Sequence, residues 1–207
     1  MQLSISILNS KNKIETINIL NKTEISYIHL DVMDGEFVSQ KSLSIEEIKN
    51  LSKISEKKLD VHLMVSNPID YIEAIKDIPN LEYITIHLEI SKNIEELLTK
   101  IKSYGYKCGL SIKPGTDINE LNPYLDMVDL ILLMTVEPGK GGQPFIESSV
   151  ARLNELKKQI KNNTKIEVDG GINNQTIKKV KEADISVVGS YVTTSDNIVE
   201  KINSLLV

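Results

Sequence analysis

Short runs rich in Ile, Leu, Val and Tyr alternate along this chain with longer stretches whose apolar residues recur three and four positions apart. The alternation repeats through the whole sequence. The short runs predict strands over 3–8, 27–33, 59–65, 83–88, 107–112, 130–136, 165–168 and 185–189. The longer stretches predict helices over 13–21, 45–54, 68–75, 94–104, 118–124, 148–161, 174–182 and 197–206. Start signals support several of these helices: Ser44 before Ile45, Asn67 before Pro68, Asn93 before Ile94, and Asp196 before Asn197. Gly105 supplies a stop after the fourth.

Strands separated by helices pair in parallel through right-handed crossovers. Repeated over 207 residues, such units fit a closed α/β barrel better than an open doubly wound sheet. No Gly-x-Gly-x-x-Gly follows the first strand, as a dinucleotide-binding sheet would require. The expectation is a single (βα)8 TIM barrel, with residues 1–207 forming one catalytic domain.

Composition narrows the partners. With 41% hydrophobic residues the chain can bury one substantial core. A net charge of −5 with dispersed lysines provides no basic stripe, which argues against nucleic acid. An anionic ligand would have to be drawn by local backbone donors. Cys108, the only cysteine, lies in an apolar run and is expected to be a buried structural thiol. Neither a signal-like start nor a membrane-length apolar run is visible, so the expected location is the cytoplasm, without membrane association.

In a barrel of this kind, chemistry gathers at the C-terminal ends of the strands. Alternation places His29, Asp31 and Met33 on one face of the second strand. Asp60, His62 and Met64 share a face of the third, and Asp169 ends the seventh. One histidine in such a place reads as a core residue. His29, Asp31, His62 and Asp169 together form a mixed nitrogen and oxygen set suited to one divalent ion, Zn²⁺, Fe²⁺, Mn²⁺ or Co²⁺. His87, on the fourth strand, either supports that site or serves the structure alone. Asp34, next to Gly35, is expected to shape a turn.

Glycine marks the last three strand ends: Gly139 to Gly142, Gly170-Gly171 and Gly189-Ser190. Without Cβ atoms these loops can bring backbone N–H groups close to a phosphate. Met33, Met64 and Met134 stand near strand ends, where they either fill the core or line the reaction centre.

Several stretches resemble the ribulose-phosphate 3-epimerase family: Ser6-Ile7-Leu8, His29 to Gly35, Asp60 to Val65, Met134 to Phe145, Val168 to Ile172 and Val188 to Ser190. The likeness runs from the first strand to the eighth. It implies His29, Asp31, His62 and Asp169 as metal ligands, with Asp31 and Asp169 as the acid–base pair. It implies substrate contacts from Ser6, Met33, His62, Met64 and Met134, and phosphate contacts from Gly141, Gly142, Gly170, Gly171, Gly189 and Ser190. The implied reaction is proton exchange at C3 between D-ribulose 5-phosphate and D-xylulose 5-phosphate through a metal-stabilised enediolate, in a homo-oligomer.

The sequence departs from the family pattern at Asn9-Ser10-Lys11, Ser39-Gln40, Lys140 and Tyr191. None of these positions carries an implied ligand or acid–base group. An epimerase for a six-carbon ketose phosphate such as allulose 6-phosphate would share the site, but Glu137 and Gly170-Gly171 lean toward the five-carbon sugar. A phosphate-barrel lyase or decarboxylase would need Asp-x-Lys-x-x-Asp, and Asp31-Val32-Met33-Asp34 contains no lysine. A non-catalytic phosphosugar-binding relative would not need all four site residues.

Overall fold

The computed structural model describes residues 1–90, 92–160 and 163–206. Eight parallel strands close on one another in chain order. They are β1 (Gln2–Ser6), β2 (Tyr27–Met33), β3 (Lys58–Met64), β4 (Leu81–His87), β5 (Lys107–Ile112), β6 (Leu130–Met134), β7 (Lys165–Asp169) and β8 (Ile185–Val188). Around them run α1 (Lys13–Leu20), α2 (Ile45–Ile54), α3 (Pro68–Ile75), α4 (Ile94–Ser103), α5 (Ser149–Gln159), α6 (Ser190–Thr193) and α7 (Ile198–Asn203). The (βα)8 architecture expected from the hydrophobic pattern is the one found.

Two crossovers differ from the expected helices. Residues 118–124 form a 3₁₀ helix rather than an α-helix, and Pro123 within it contributes no N–H to its bonds. The stretch 174–182 shortens to a 3₁₀ turn at Thr176–Lys179, where the Asn173 side chain takes the N–H groups of Gln175 and Thr176. The expected helix 148–161 is seen as α5, and its last position, Lys161, lies outside the described residues. The short helix α6 was not expected.

The caps also sort themselves. Ser44 and Glu47 form a reciprocal capping box at α2, and Asn93 accepts from Glu96 N at 3.3 Å. Asn67 makes no side-chain cap bond; Pro68, with its fixed φ, begins α3 instead. At α7 the cap is Asn197 rather than Asp196, accepting from Glu200 N at 3.1 Å. Gly105 ends α4 at φ +85°, a conformation that favours glycine.

Strand alternation divides the side chains into two sets. Outward residues such as Ile5, Ile28, Leu30, Val61, Leu63, Ile86 and Leu133 pack against the helices in the main core. Each fully buried Ile or Leu there contributes roughly 1.5–3 kcal/mol before chain entropy is counted. Inside the cylinder, Tyr27, Tyr83, Leu130 and Ile185 form an apolar layer, one residue from each even-numbered strand. Above that plug the inward residues turn polar, with Ser4, His29, Asp60, Thr85 and Glu167 all buried. The register sets His29 beside Asp60, Asp31 beside His62 and Met33 beside Met64. Met134 pairs with Asp169 on the far side. Among the described residues no helix is long and apolar enough to cross a membrane.

Candidate active site

His29, Asp31, His62 and Asp169 come together at the C-terminal mouth of the barrel, each offering a nitrogen or oxygen within 4.8 Å of the others. His29 Nε2 and His62 Nδ1 each lie 3.4 Å from Asp31 Oδ1, and His62 Nδ1 lies 4.0 Å from Asp169 Oδ2. Both nitrogens are fully buried and have no hydrogen-bond partner. Unpaired buried polar atoms are costly, so a cluster of them around one point calls for an occupant. The separations are those of donors sharing one ion at roughly 2.0–2.2 Å. These residues therefore fit a divalent metal ion.

The remaining ring nitrogens are held from behind. Asp60 Oδ2 accepts from His29 Nδ1 at 2.6 Å and from Ser4 Oγ at 3.0 Å. His62 Nε2 meets His87 Nε2 at 2.8 Å, and Glu89 Oε2 accepts from His87 Nδ1 at 3.0 Å. Ser6 Oγ donates to Asp31 Oδ2 at 2.6 Å, so this serine orients a carboxylate as well as lining the cavity above.

The sequence reading gave Asp60 no role and passed over Glu167. Each stands two residues before a proposed ligand, Asp60 before His62 and Glu167 before Asp169, and so on the same inward face. A polar residue at that offset in an otherwise apolar strand was the available signal. His29, Asp60 and Glu167 form a second close group below the first. Burial, and then the charge of Asp60, push the Glu167 carboxyl well above the usual carboxylate range.

The two carboxyls at the mouth are unequal. Burial pushes Asp169 up to about 6, with the charge of Asp31 adding to it. Burial also works against ionised Asp31, yet His29 and His62 overcome it by charge and hydrogen bonding and hold Asp31 well below the carboxylate range. Burial pushes His87 down to about 4, so that ring is neutral.

Above the group lies a cavity of about 450 Å³. Its floor is Ser6, Asp31, Met33, Met64, Met134 and Asp169; His29 and His62 lie beneath it, with no surface on it. All the glycine-loop residues named from the sequence, Gly141, Gly142, Gly170, Gly171, Gly189 and Ser190, line its rim. Gly171 has φ +66°, and a Cβ there would come 2.4 Å from the Phe145 backbone nitrogen. Asn9, noted in the sequence only as a departure from the family pattern, donates to Ser190 Oγ at 2.8 Å and ties the loop after β1 to the rim. Lys140 is exposed at the cavity edge.

The methionines divide. Met33 and Met64 pack with Val38 in one cluster, and Met134 packs with Leu132 and Val136 in another. Asp34 shapes its turn as expected: Oδ1 accepts from Glu36 N at 2.8 Å and Phe37 N at 2.9 Å, while Oδ2 accepts from Ser66 N at 2.6 Å. Cys108 is buried, its Sγ donating to Met127 O at 3.1 Å, and burial pushes the thiol up to about 11. That is the structural thiol expected from its apolar run.

Comparison with known proteins adds an independent finding. Residues 1–193 match the family model described as the ribulose-phosphate 3 epimerase family. The chain is 37% identical over 203 residues to the chloroplastic ribulose-5-phosphate-3-epimerase of Arabidopsis thaliana, covering 92% of this chain and 70% of that protein. It is 36% identical over 187 residues to the ribulose-phosphate 3-epimerase of Aquifex aeolicus, covering 86% and 84%. Among solved structures, KGPDC of Streptococcus mutans matches with a TM-score of 0.76 at 11% identity, covering 99% and 94%. The 3-hexulose-6-phosphate synthase of Salmonella typhimurium matches at 0.71 and 16%, covering 99% and 96%. At such identities these two show a shared fold alone.

Proposed function

This chain belongs to the ribulose-phosphate 3-epimerase family, and from that membership we propose that it interconverts D-ribulose 5-phosphate and D-xylulose 5-phosphate. The observation that carries the reading is the placement of Asp31 and Asp169 beside two unpartnered imidazole nitrogens, on the floor of a glycine-rimmed cavity.

Inverting a carbon beside a carbonyl requires a proton to leave one face and another to arrive on the opposite face. Two acid–base groups flanking a planar enediolate meet that need. Asp31 on β2 and Asp169 on β7 project from separate strands of the mouth, and each would serve one face of C3. Ser6 keeps Asp31 aimed by its 2.6 Å hydrogen bond. Met33, Met64 and Met134 would give the sugar a polarizable surface poor in water. Gly141, Gly142, Gly170, Gly171, Gly189 and Ser190 would hold the phosphate by backbone N–H groups and one hydroxyl, which suits an acidic protein.

His29, Asp31, His62 and Asp169 would hold one Zn²⁺, Fe²⁺, Mn²⁺ or Co²⁺ ion, whose charge would stabilise the negative charge developing on the sugar oxygens. Residues 1–207 are proposed to act as one catalytic domain, in a cytoplasmic homo-oligomer. The cytoplasmic assignment is supported by a rice relative named as the cytoplasmic isoform, 39% identical over 155 residues.

A coupled assay with D-ribulose 5-phosphate tests the reading. Turnover that chelator removes and a divalent ion restores is the expected result. No turnover in the metal-loaded protein would overturn it, and faster turnover of allulose 6-phosphate would replace the five-carbon substrate with the six-carbon one.

A further inference from the structure

We infer that Glu89 and His87 form a positioning relay that sets the tautomer of His62, and with it the nitrogen that His62 presents at the mouth of the barrel. The inference rests on the metal site proposed above and extends it to residues beyond the four ligands.

The direction of the relay is set at its far end. Glu89, in the loop after β4, uses Oε1 to accept from the Lys113 backbone N–H at 2.6 Å and from the Thr116 hydroxyl. A backbone N–H cannot reverse its role, so this oxygen is fixed as an acceptor. Burial works against the ionised Glu89 carboxyl, yet hydrogen bonds from His87, the Lys113 N–H and the Thr116 hydroxyl outweigh it and hold the group down to about 2. Both of its oxygens therefore only accept, and His87 Nδ1, 3.0 Å from Oε2, must donate. A neutral ring carries one N–H, leaving His87 Nε2 as a lone pair. His62 Nε2 lies 2.8 Å from that lone pair and has to be the donor. The remaining nitrogen of His62, Nδ1, is then a lone pair 3.4 Å from Asp31 Oδ1, which is the form a metal ion accepts.

The packing keeps the relay in register. The His62 and His87 ring centroids are 4.9 Å apart with 30° between their planes, and the two Nε2 atoms meet at 2.8 Å. The loop that supplies Lys113 and Thr116 is held by Arg152 of α5, which donates to Pro114 O at 2.6 Å, Lys113 O at 3.1 Å and Thr116 O at 2.6 Å. Phe37 covers His87 with ring centroids 4.7 Å apart. A simple space-filling role would explain the burial of His87, but it would not require a consistent donor sequence across four groups.

Glu89→Gln separates the two. The Gln carbonyl must take the fixed Lys113 N–H, which turns its NH2 toward His87 Nδ1. The relay then runs backward: His87 donates from Nε2, and His62 keeps its proton on Nδ1, the position needed for metal.

The test uses the full chain labelled with ¹⁵N-histidine, recorded after chelator treatment, together with Zn²⁺ affinity measured against a competing chelator. In the wild type, His62 should be protonated on Nε2 and bare on Nδ1. In Glu89→Gln the pattern should invert, and Zn²⁺ affinity should fall by about 10–100-fold, the range typical when a partner behind a metal-bound histidine is lost. A wild-type spectrum with the proton on Nδ1 would overturn the inference even if the variant failed to fold. So would a folded variant with unchanged tautomer and affinity. Wild type that shows the expected tautomer but binds no Zn²⁺, Fe²⁺, Mn²⁺ or Co²⁺ would refute the metal reading while leaving the relay standing.

Discussion

Asp60 Oδ2 stands 2.6 Å from His29 Nδ1, and the two residues are register partners across β2 and β3. His29 is thus oriented directly by a carboxylate, whereas His62 meets a second imidazole. The hydrogen bond keeps the His29 proton on Nδ1 and leaves Nε2, which has no partner, facing Asp31. Asp60→Ala removes the acceptor and also strands Ser4 Oγ, which donates to the same oxygen at 3.0 Å. The expected outcome is a loss of metal affinity of about 10–100-fold, read by metal content after dialysis against a graded chelator series. Unchanged metal content would show that Asp60 does not orient His29.

Asp31→Asn and Asp169→Asn each retain the shape of the side chain and remove its ability to take a proton. Each is expected to lower kcat by at least about 10²–10⁴-fold, the usual contribution of one acid–base group. Metal content must be verified in both, since both carboxylates are also candidate ligands. Circular dichroism should show the fold intact. A metal-loaded variant keeping most of its turnover would refute the two-carboxylate scheme.

Among the described residues, Lys140 is the one cationic side chain lining the cavity, within the glycine loop after β6. Attraction between exposed charges is screened by salt, with a Debye length of about 10 Å at 0.1 M. Lys140→Ala should raise KM for the phosphorylated sugar a few-fold, more so at low ionic strength, and leave kcat nearly unchanged. An unaltered KM at low salt would remove Lys140 from phosphate capture.

Much of the barrel was legible because strand and helix periods differ, and the site was legible because strand alternation puts His29, Asp31, His62 and Asp169 on inward faces. β2 and β5 coincide with their predicted bounds. β1 was overrun, since Ile7 and Leu8 extend the apolar run although the strand ends at Ser6. The 3₁₀ turn at Thr176–Lys179 was obscured because its helix-like spacing is overridden by the Asn173 side chain. Glu167 was hidden for a different reason. A charged residue between Ile166 and Val168 normally signals the solvent face of a strand, but inside a barrel the same parity points at the axis. Only the closed sheet tells the two apart.

That buried carboxyl has a consequence for stability. Glu167 is fully buried, its oxygens have no partner among the described donors, and Asp60 belongs to the same close group. Its pKa is raised by burial and then by Asp60, so folding takes up a proton wherever the unfolded chain has already lost it. The stabilising effect is complete below the unfolded value near 4.5 and is lost as pH rises through the raised folded value. Glu167→Gln replaces the carboxyl with an amide of similar shape that stays neutral at every pH and can donate toward Asp60 Oδ1, which is itself unpartnered. Thermal unfolding of the metal-free proteins should therefore show the variant gaining on the wild type as pH rises above the unfolded value near 4.5. Each kcal/mol of that gain is expected to raise Tm by about 2–4 °C for a chain of this length. A variant whose Tm runs parallel to the wild type across this range would show that Glu167 is ionised in the folded protein, with its charge compensated from elsewhere in the barrel.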